Sequence, residues 1–173
     1  AGGDPENGLT ELGREAVRRM QRLGIVPDVS HASDGTFRDL LELAEGPVIA
    51  SHSNCRVLCD VRRNLTDDQL RAIRDTGGVV GVNVYHNFVH ADPQQQTAAM
   101  LARHAAHMAE VMGPEHVACG FDFCEYFGPG NEGCEGMEDC SQTHNFFFEL
   151  ERIGFSAAER QAIAGENLLR VLE

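Results

Sequence analysis

The chain has 173 residues, the size of one ordinary domain, and its 42% hydrophobic and 24% charged residues suffice to bury a core. Asp and Glu number 27 against 14 Lys plus Arg, a net charge of −13 whose field repels phosphate backbones and anionic lipid surfaces. Every basic residue is arginine, which excludes a Schiff-base lysine, a P-loop lysine and a carboxylated bridging lysine.

Residues 8–23 carry Leu9, Leu12, Ala16, Met20 and Leu23 at helical spacing, which predicts an amphipathic helix with that stripe inward. Residues 25–31 read as a buried strand ending in His31. Ser33 is placed to cap a helix that buries Phe37, Leu40, Leu41 and Ala44, and Gly46-Pro47 stops it. Residues 48–52 form a second strand ending in His52. A polar stretch with Arg56, Arg62, Arg63 and Asn64 leads to Thr66-Asp67-Asp68-Gln69, a capping box that opens a helix with Leu70 and Ile73.

The third strand spans 79–84, and Tyr85, His86 and His90 follow it in a loop that reaches towards the strand ends. Residues 97–112 read as a helix with Ala98, Leu101, Ala105, Met108 and Met112 in line, leaving His104 and His107 on a solvated face. A fourth strand over 117–123 contains Asp122. The Gly-rich acidic stretch 128–140 lacks the ligand spacing of a calcium loop and reads as a flexible insertion. A helix near 141–152, with Phe146, Phe147 and Phe148 as packing residues, and a second capping box at Ser156-Ala157-Ala158-Glu159 close the chain.

Helices between successive strands imply parallel pairing by crossover connections, hence an α/β architecture. Continuous apolar strands agree with a sheet covered by helices. Four such units equal half of an eight-stranded barrel or a small doubly wound sheet, and the missing Gly-rich phosphate fingerprint disfavours a dinucleotide site. No apolar run approaches the ~20 residues of a membrane span. The six cysteines include no pair separated by two residues, so reduced thiols are expected rather than a zinc ribbon.

Three strands end in a chemically able side chain: His31, His52 and Asp122. In a parallel barrel those ends form the active-site rim, and neutral imidazoles with a carboxylate suit a divalent metal such as zinc, which acidifies water near pH 7. Cys124, beside that rim, reads as a small packing residue.

Asp28-Val29-Ser30-His31, Ala50-Ser51-His52-Ser53-Asn54 and Arg62-Arg63-Asn64-Leu65 together resemble the membrane (renal) dipeptidase family of zinc metallopeptidases. Gly8-Leu9-Thr10-Glu11-Leu12-Gly13, Gly120-Phe121-Asp122-Phe123 and Gly165-Glu166-Asn167-Leu168-Leu169-Arg170-Val171 fit the same family in the same order, so the resemblance spans essentially the whole chain. It implies a TIM-barrel-type (β/α)8 metal-dependent hydrolase with two zinc ions. Residues 1–173 would form the C-terminal half of that barrel, strands five to eight. His31 and His52 would be metal ligands ending strands five and six, and Arg63 would clamp the substrate's terminal carboxylate. Asp122, ending strand eight, would be catalytic and shuttle a proton.

The family's usual Asp-Phe-Asp-Gly becomes Asp122-Phe123-Cys124-Glu125 here, which alters the loop after the last strand. No His precedes His31, so the family's first-strand His-x-Asp pair, its bridging Glu and a further substrate-binding His have no counterpart. The expectations are therefore a dipeptide substrate, an incomplete zinc site and an inactive isolated polypeptide. Absent an initiator Met, a cut segment is expected, and the two open strand edges call for a homodimer or a missing first half. No nucleic-acid or membrane partner and a cytoplasmic location complete the reading. Other amidohydrolase-type chemistry (lactone, phosphoester or deamination) and a non-catalytic α/β scaffold stand as alternatives.

Overall fold

The computed structural model describes residues 6–173, and the opening residues on which the reading of a cut segment rests lie outside them. Its helices are α1 (Glu11–Arg22), α2 (Asp34–Leu43), α3 (Asp67–Asp75), the short α4 (His86–Val89), α5 (Ala98–Met112), α6 (Thr143–Arg152), α7 (Ala157–Gln161) and α8 (Asn167–Leu172). A π-helical turn, Ala162–Glu166, joins the last two. The caps follow local chemistry. Ser33 Oγ accepts from the Thr36 amide, and the Thr66–Gln69 and Ser156–Glu159 boxes are both closed. None of the helices among the described residues is long and apolar enough to cross a membrane.

Regular strand is confined to β1 (Val80–Val82) and β2 (Val117–Cys119), paired in parallel, but single parallel bridges extend the sheet. Asp28 pairs with Ile49 and Ala50 with Val80, so the four expected segments lie side by side in chain order. Backbone bonds from Val29 to the Ile49 carbonyl, from Gly81 to the Ala50 carbonyl and from Val84 to the Phe121 carbonyl, each 2.8 Å, carry that order across the sheet. Sequential parallel neighbours without a reversal argue against the doubly wound alternative, whose strand order switches direction. Among the described residues, the first and last segments are paired on one side only.

Two glycines permit three backbones to converge beneath the strand ends. A β-carbon on either Gly81 or Gly120 would meet the Ser51 carbonyl oxygen, so both positions require a bare backbone. Helix α5 supplies the largest covering face, with Leu101, Ala102, Ala105 and Met108 all inaccessible to solvent.

Four local expectations are corrected. In α1 the buried residue is Val17, while Leu12 and Leu23 are 80% and 61% exposed. The helix is rotated because Arg14 pairs with Asp39 at 2.7 Å and Gln21 donates to the Leu43 carbonyl, polar contacts that turn the other face onto α2. The stretch 128–140 is no free insertion: Cys134 and Met137 are in the core, and Gly133 and Glu135 bridge to Tyr85 and Thr97. Phe146 is buried edge-on against Phe121, whereas Phe148 points outwards.

His104 is the fourth. It is fully buried rather than solvated; Nδ1 accepts the Cys55 amide at 3.0 Å and Nε2 donates to the Val89 carbonyl at 2.8 Å. The Cys55 amide needs an unprotonated Nδ1, and burial outweighs the Val89 carbonyl's pull on the charged form and drives the pKa from 6.5 to about 4. The unfolded chain binds the extra proton between those two values. Stability is therefore whole above pH ~6.5 and falls by about 3 kcal/mol as pH drops towards 4. Urea titrations at pH 7 and pH 4.5 check this: His104→Gln should lose stability at pH 7 but show a shallower decline with acid. Equal slopes would refute the assignment. His107 instead meets Asp67 at 2.7 Å.

Candidate metal and substrate site

The C-terminal ends of the parallel segments bring the expected side chains together. The His31 and His52 Nε2 atoms face each other at 2.9 Å, with ring centroids 4.9 Å apart. Asp122 Oδ2 lies 3.9 Å from His52 Nε2. Arg63 Nη2 approaches the same point, 3.5 Å from His31 Nε2. His31 and Asp122 both adopt left-handed backbone, with φ of 70° and 63°, which turns each side chain off its strand towards the others.

Each group has a fixed support. Arg63 belongs to the loop after the second segment, pinned by a Cys55–Leu65 bridge and by buried Asn64, which donates to the Cys59 and Phe88 carbonyls at 2.9 Å each. Its guanidinium donates to the His52 carbonyl at 3.0 Å and to Ser53 Oγ at 3.3 Å, and sits 5.3 Å from the Phe88 ring centre. Nε stays buried without a partner. Arg62, its neighbour, is exposed.

Asp122 receives the Asn83 amide on Oδ2 at 3.1 Å. That amide is oriented, because Asn83 Oδ1 accepts from the Tyr85 backbone at 2.7 Å. Asn83 is itself fully buried and doubly bonded to Asn54: its backbone donates to Asn54 Oδ1 at 3.0 Å and receives Asn54 Nδ2 at 2.8 Å. Cys124 Sγ lies 3.8 Å from Asp122 Oδ1, close enough to touch the carboxylate. His86 ties its segment to the 128–140 stretch through the Glu132 carbonyl, and His90 Nδ1 accepts the Asp92 amide of its own loop, at 3.0 Å each.

The electrostatics favour neutral imidazoles. Partial desolvation and then the charges of Arg63 and His52 hold His31 below the usual histidine range. Desolvation also lowers His52, against the opposing pull of Asp122. Partial desolvation would raise Asp28, but hydrogen bonds from Ser51 and Ser30 outweigh it and keep the carboxyl below its ordinary range.

The donor set fits part of a metal shell. Ligand nitrogens at ~2.0–2.1 Å from zinc lie about 2.9–3.4 Å apart for angles of roughly 90–110°, and the two facing Nε2 atoms fall at that spacing. No group of three His, Cys, Asp or Glu side chains among the described residues makes a complete cage. Asp28, Ser51 and Asn54 stand in the motifs that carry the family resemblance, but the sequence assigns them no role, and Asn83 is marked only by polarity in an otherwise apolar strand.

A sequential parallel sheet with imidazoles and a carboxylate converging at its C-terminal rim is the arrangement of an α/β metal-dependent hydrolase. The chain belongs to the membrane dipeptidase family, peptidase family M19, whose sequence profile matches residues 2–173. It is 36% identical over 169 residues to an uncharacterized dipeptidase of Schizosaccharomyces pombe, covering 95% of this chain and 39% of that protein. An uncharacterized protein in the pqqA 5′ region of Klebsiella pneumoniae is 36% identical over 176 residues, covering 99% of this chain and 63% of the relative. Among solved structures, a metallo peptidase from Rhodobacter sphaeroides, liganded with a phosphinate mimic of the dipeptide L-Ala-D-Ala, superposes with a TM-score of 0.87 at 31% identity. That alignment covers 98% of this chain and 48% of the other. The chain thus spans about half the length of the relatives it matches.

Proposed function

We propose that this chain is the C-terminal half, strands five to eight, of a (β/α)8 zinc dipeptidase barrel. The facing Nε2 atoms of His31 and His52, with Asp122 and Arg63 directed at the same point, carry the reading. His31 and His52 would hold a zinc ion, and further ligands would come from a complementary half. When bound, zinc supplies Lewis acidity that polarises a peptide carbonyl and lowers the pKa of water.

The chain's own residues do the rest. Arg63 receives the free carboxylate of a dipeptide, for which its planar fork is suited. Its anchors on Ser53, the His52 carbonyl and the Phe88 ring keep the cation beside the imidazoles. Asp122 Oδ2 is committed to Asn83, and Oδ1, touched among the described residues only by the Cys124 thiol at 3.8 Å, takes the proton that the attacking water loses and returns it to the departing amine.

The one-sided edges of the first and last segments call for a partner, and a second copy or the family's first half would satisfy them. Zinc titration and a dipeptidase assay test the proposal together. The chain alone should take up zinc weakly, lose that uptake in His52→Ala, and hydrolyse dipeptides at least ~1,000-fold more slowly than the assembled barrel, as expected for a metal site lacking ligands. Full turnover by the isolated chain with added zinc would overturn the half-site reading.

A further inference from the structure

Among the described residues, His52 is the one imidazole of the pair whose far nitrogen is engaged by a neighbouring side chain, and the engagement has a direction. Ser51 Oγ stands within hydrogen-bond distance of both Asp28 Oδ2 and His52 Nδ1, the latter at 2.7 Å, yet the hydroxyl has one proton to give. Asp28 Oδ1 already accepts the Ser30 and Ser51 amides, at 2.9 and 3.0 Å. If Ser51 donated to His52, its oxygen would confront the carboxylate lone pair to lone pair. Donation to Asp28 removes that conflict, and Nδ1 of His52 then carries the hydrogen and donates to Ser51. Its Nε2 keeps a lone pair, which accepts from His31 Nε2 at 2.9 Å in the metal-free chain and points to the neighbourhood of Asp122. The His52 backbone amide donates to Ser30 Oγ at 3.0 Å, so the ring has a fixed base as well as a fixed tautomer.

We propose that Asp28 and Ser51 form a relay that sets the His52 tautomer and holds Nε2 ready for a cation, making both of them positioning residues. The relay does for His52 what a direct carboxylate does for many metal-bound histidines, with a serine hydroxyl interposed. It rests on the metal-site reading for its purpose, but not for its geometry.

Two measurements on the 173-residue chain separate the two. Nitrogen-15 long-range NMR of the metal-free protein reads the tautomer: His52 should be protonated on Nδ1, Ser51→Ala should relax that preference, and Ser51→Thr should keep it. Asp28→Asn can feed an amide proton to Ser51 and should drive His52 towards the Nε2–H form. Competition titration with zinc alone should then show affinity reduced about 10–100-fold in Ser51→Ala and Asp28→Asn and near wild type in Ser51→Thr. An Nε2–H ring in the wild-type protein overturns the relay, as does a tautomer indifferent to all three substitutions. A wild-type Nδ1–H ring in a chain that takes up no zinc would sustain the relay and sink the metal reading.

Discussion

Gly120→Ala should cost the fold about 3 kcal/mol or more, at or beyond the upper end of ordinary overpacking. The added methyl would strike the Ser51 carbonyl and crowd the His52 α-carbon at 3.2 Å. These are backbone atoms, so no side chain can swing aside. Domains of this size hold only ~5–15 kcal/mol in total, and the loss should appear as a large drop in the urea midpoint. The histidine pair should separate at the same time. Gly165→Ala is the control, because a β-carbon there meets nothing within 4 Å. It should leave the midpoint within about 1 kcal/mol of wild type. A wild-type midpoint for Gly120→Ala would mean that the three backbones do not converge as described.

The second large effect concerns recognition. Arg63→Ala in the assembled barrel should weaken binding of a dipeptide with a free carboxylate about 100–1,000-fold, the usual loss when one partner of a desolvated charge pair is truncated. The corresponding dipeptide amide, already weak, should change little. Arg63→Lys should restore only part of the difference, because a point charge replaces a fork. Unchanged preference for the carboxylate in Arg63→Ala would remove Arg63 from the substrate site and leave it as a support for the His52 carbonyl.

Much of this architecture is legible in the residues because local chemistry and tertiary packing agree. The capping boxes at Thr66 and Ser156 close as written, and four apolar runs become parallel neighbours. His31, His52 and Asp122 can be read because polar groups at strand ends break an apolar pattern. What sequence reasoning misses depends on partners distant in the chain. His104 is polar and helical, and nothing nearby reveals that Cys55 and Val89 occupy both its nitrogens. Leu12 and Leu23 have helical spacing, but an ion pair 25 residues apart in sequence decides which face of α1 turns inward. The Asn54–Asn83–Asp122 chain is equally non-local, linking three strand ends through side-chain amides.

The left-handed backbone at His31 and Asp122 bears on how this protein tolerates change. Such a conformation costs an ordinary residue about 1 kcal/mol or more, and glycine pays almost none of it. Directed evolution for heat resistance alone would consequently reward glycine at the two positions on which the chemistry depends. A library screened without an activity or zinc-uptake gate would enrich sturdier molecules with an erased centre.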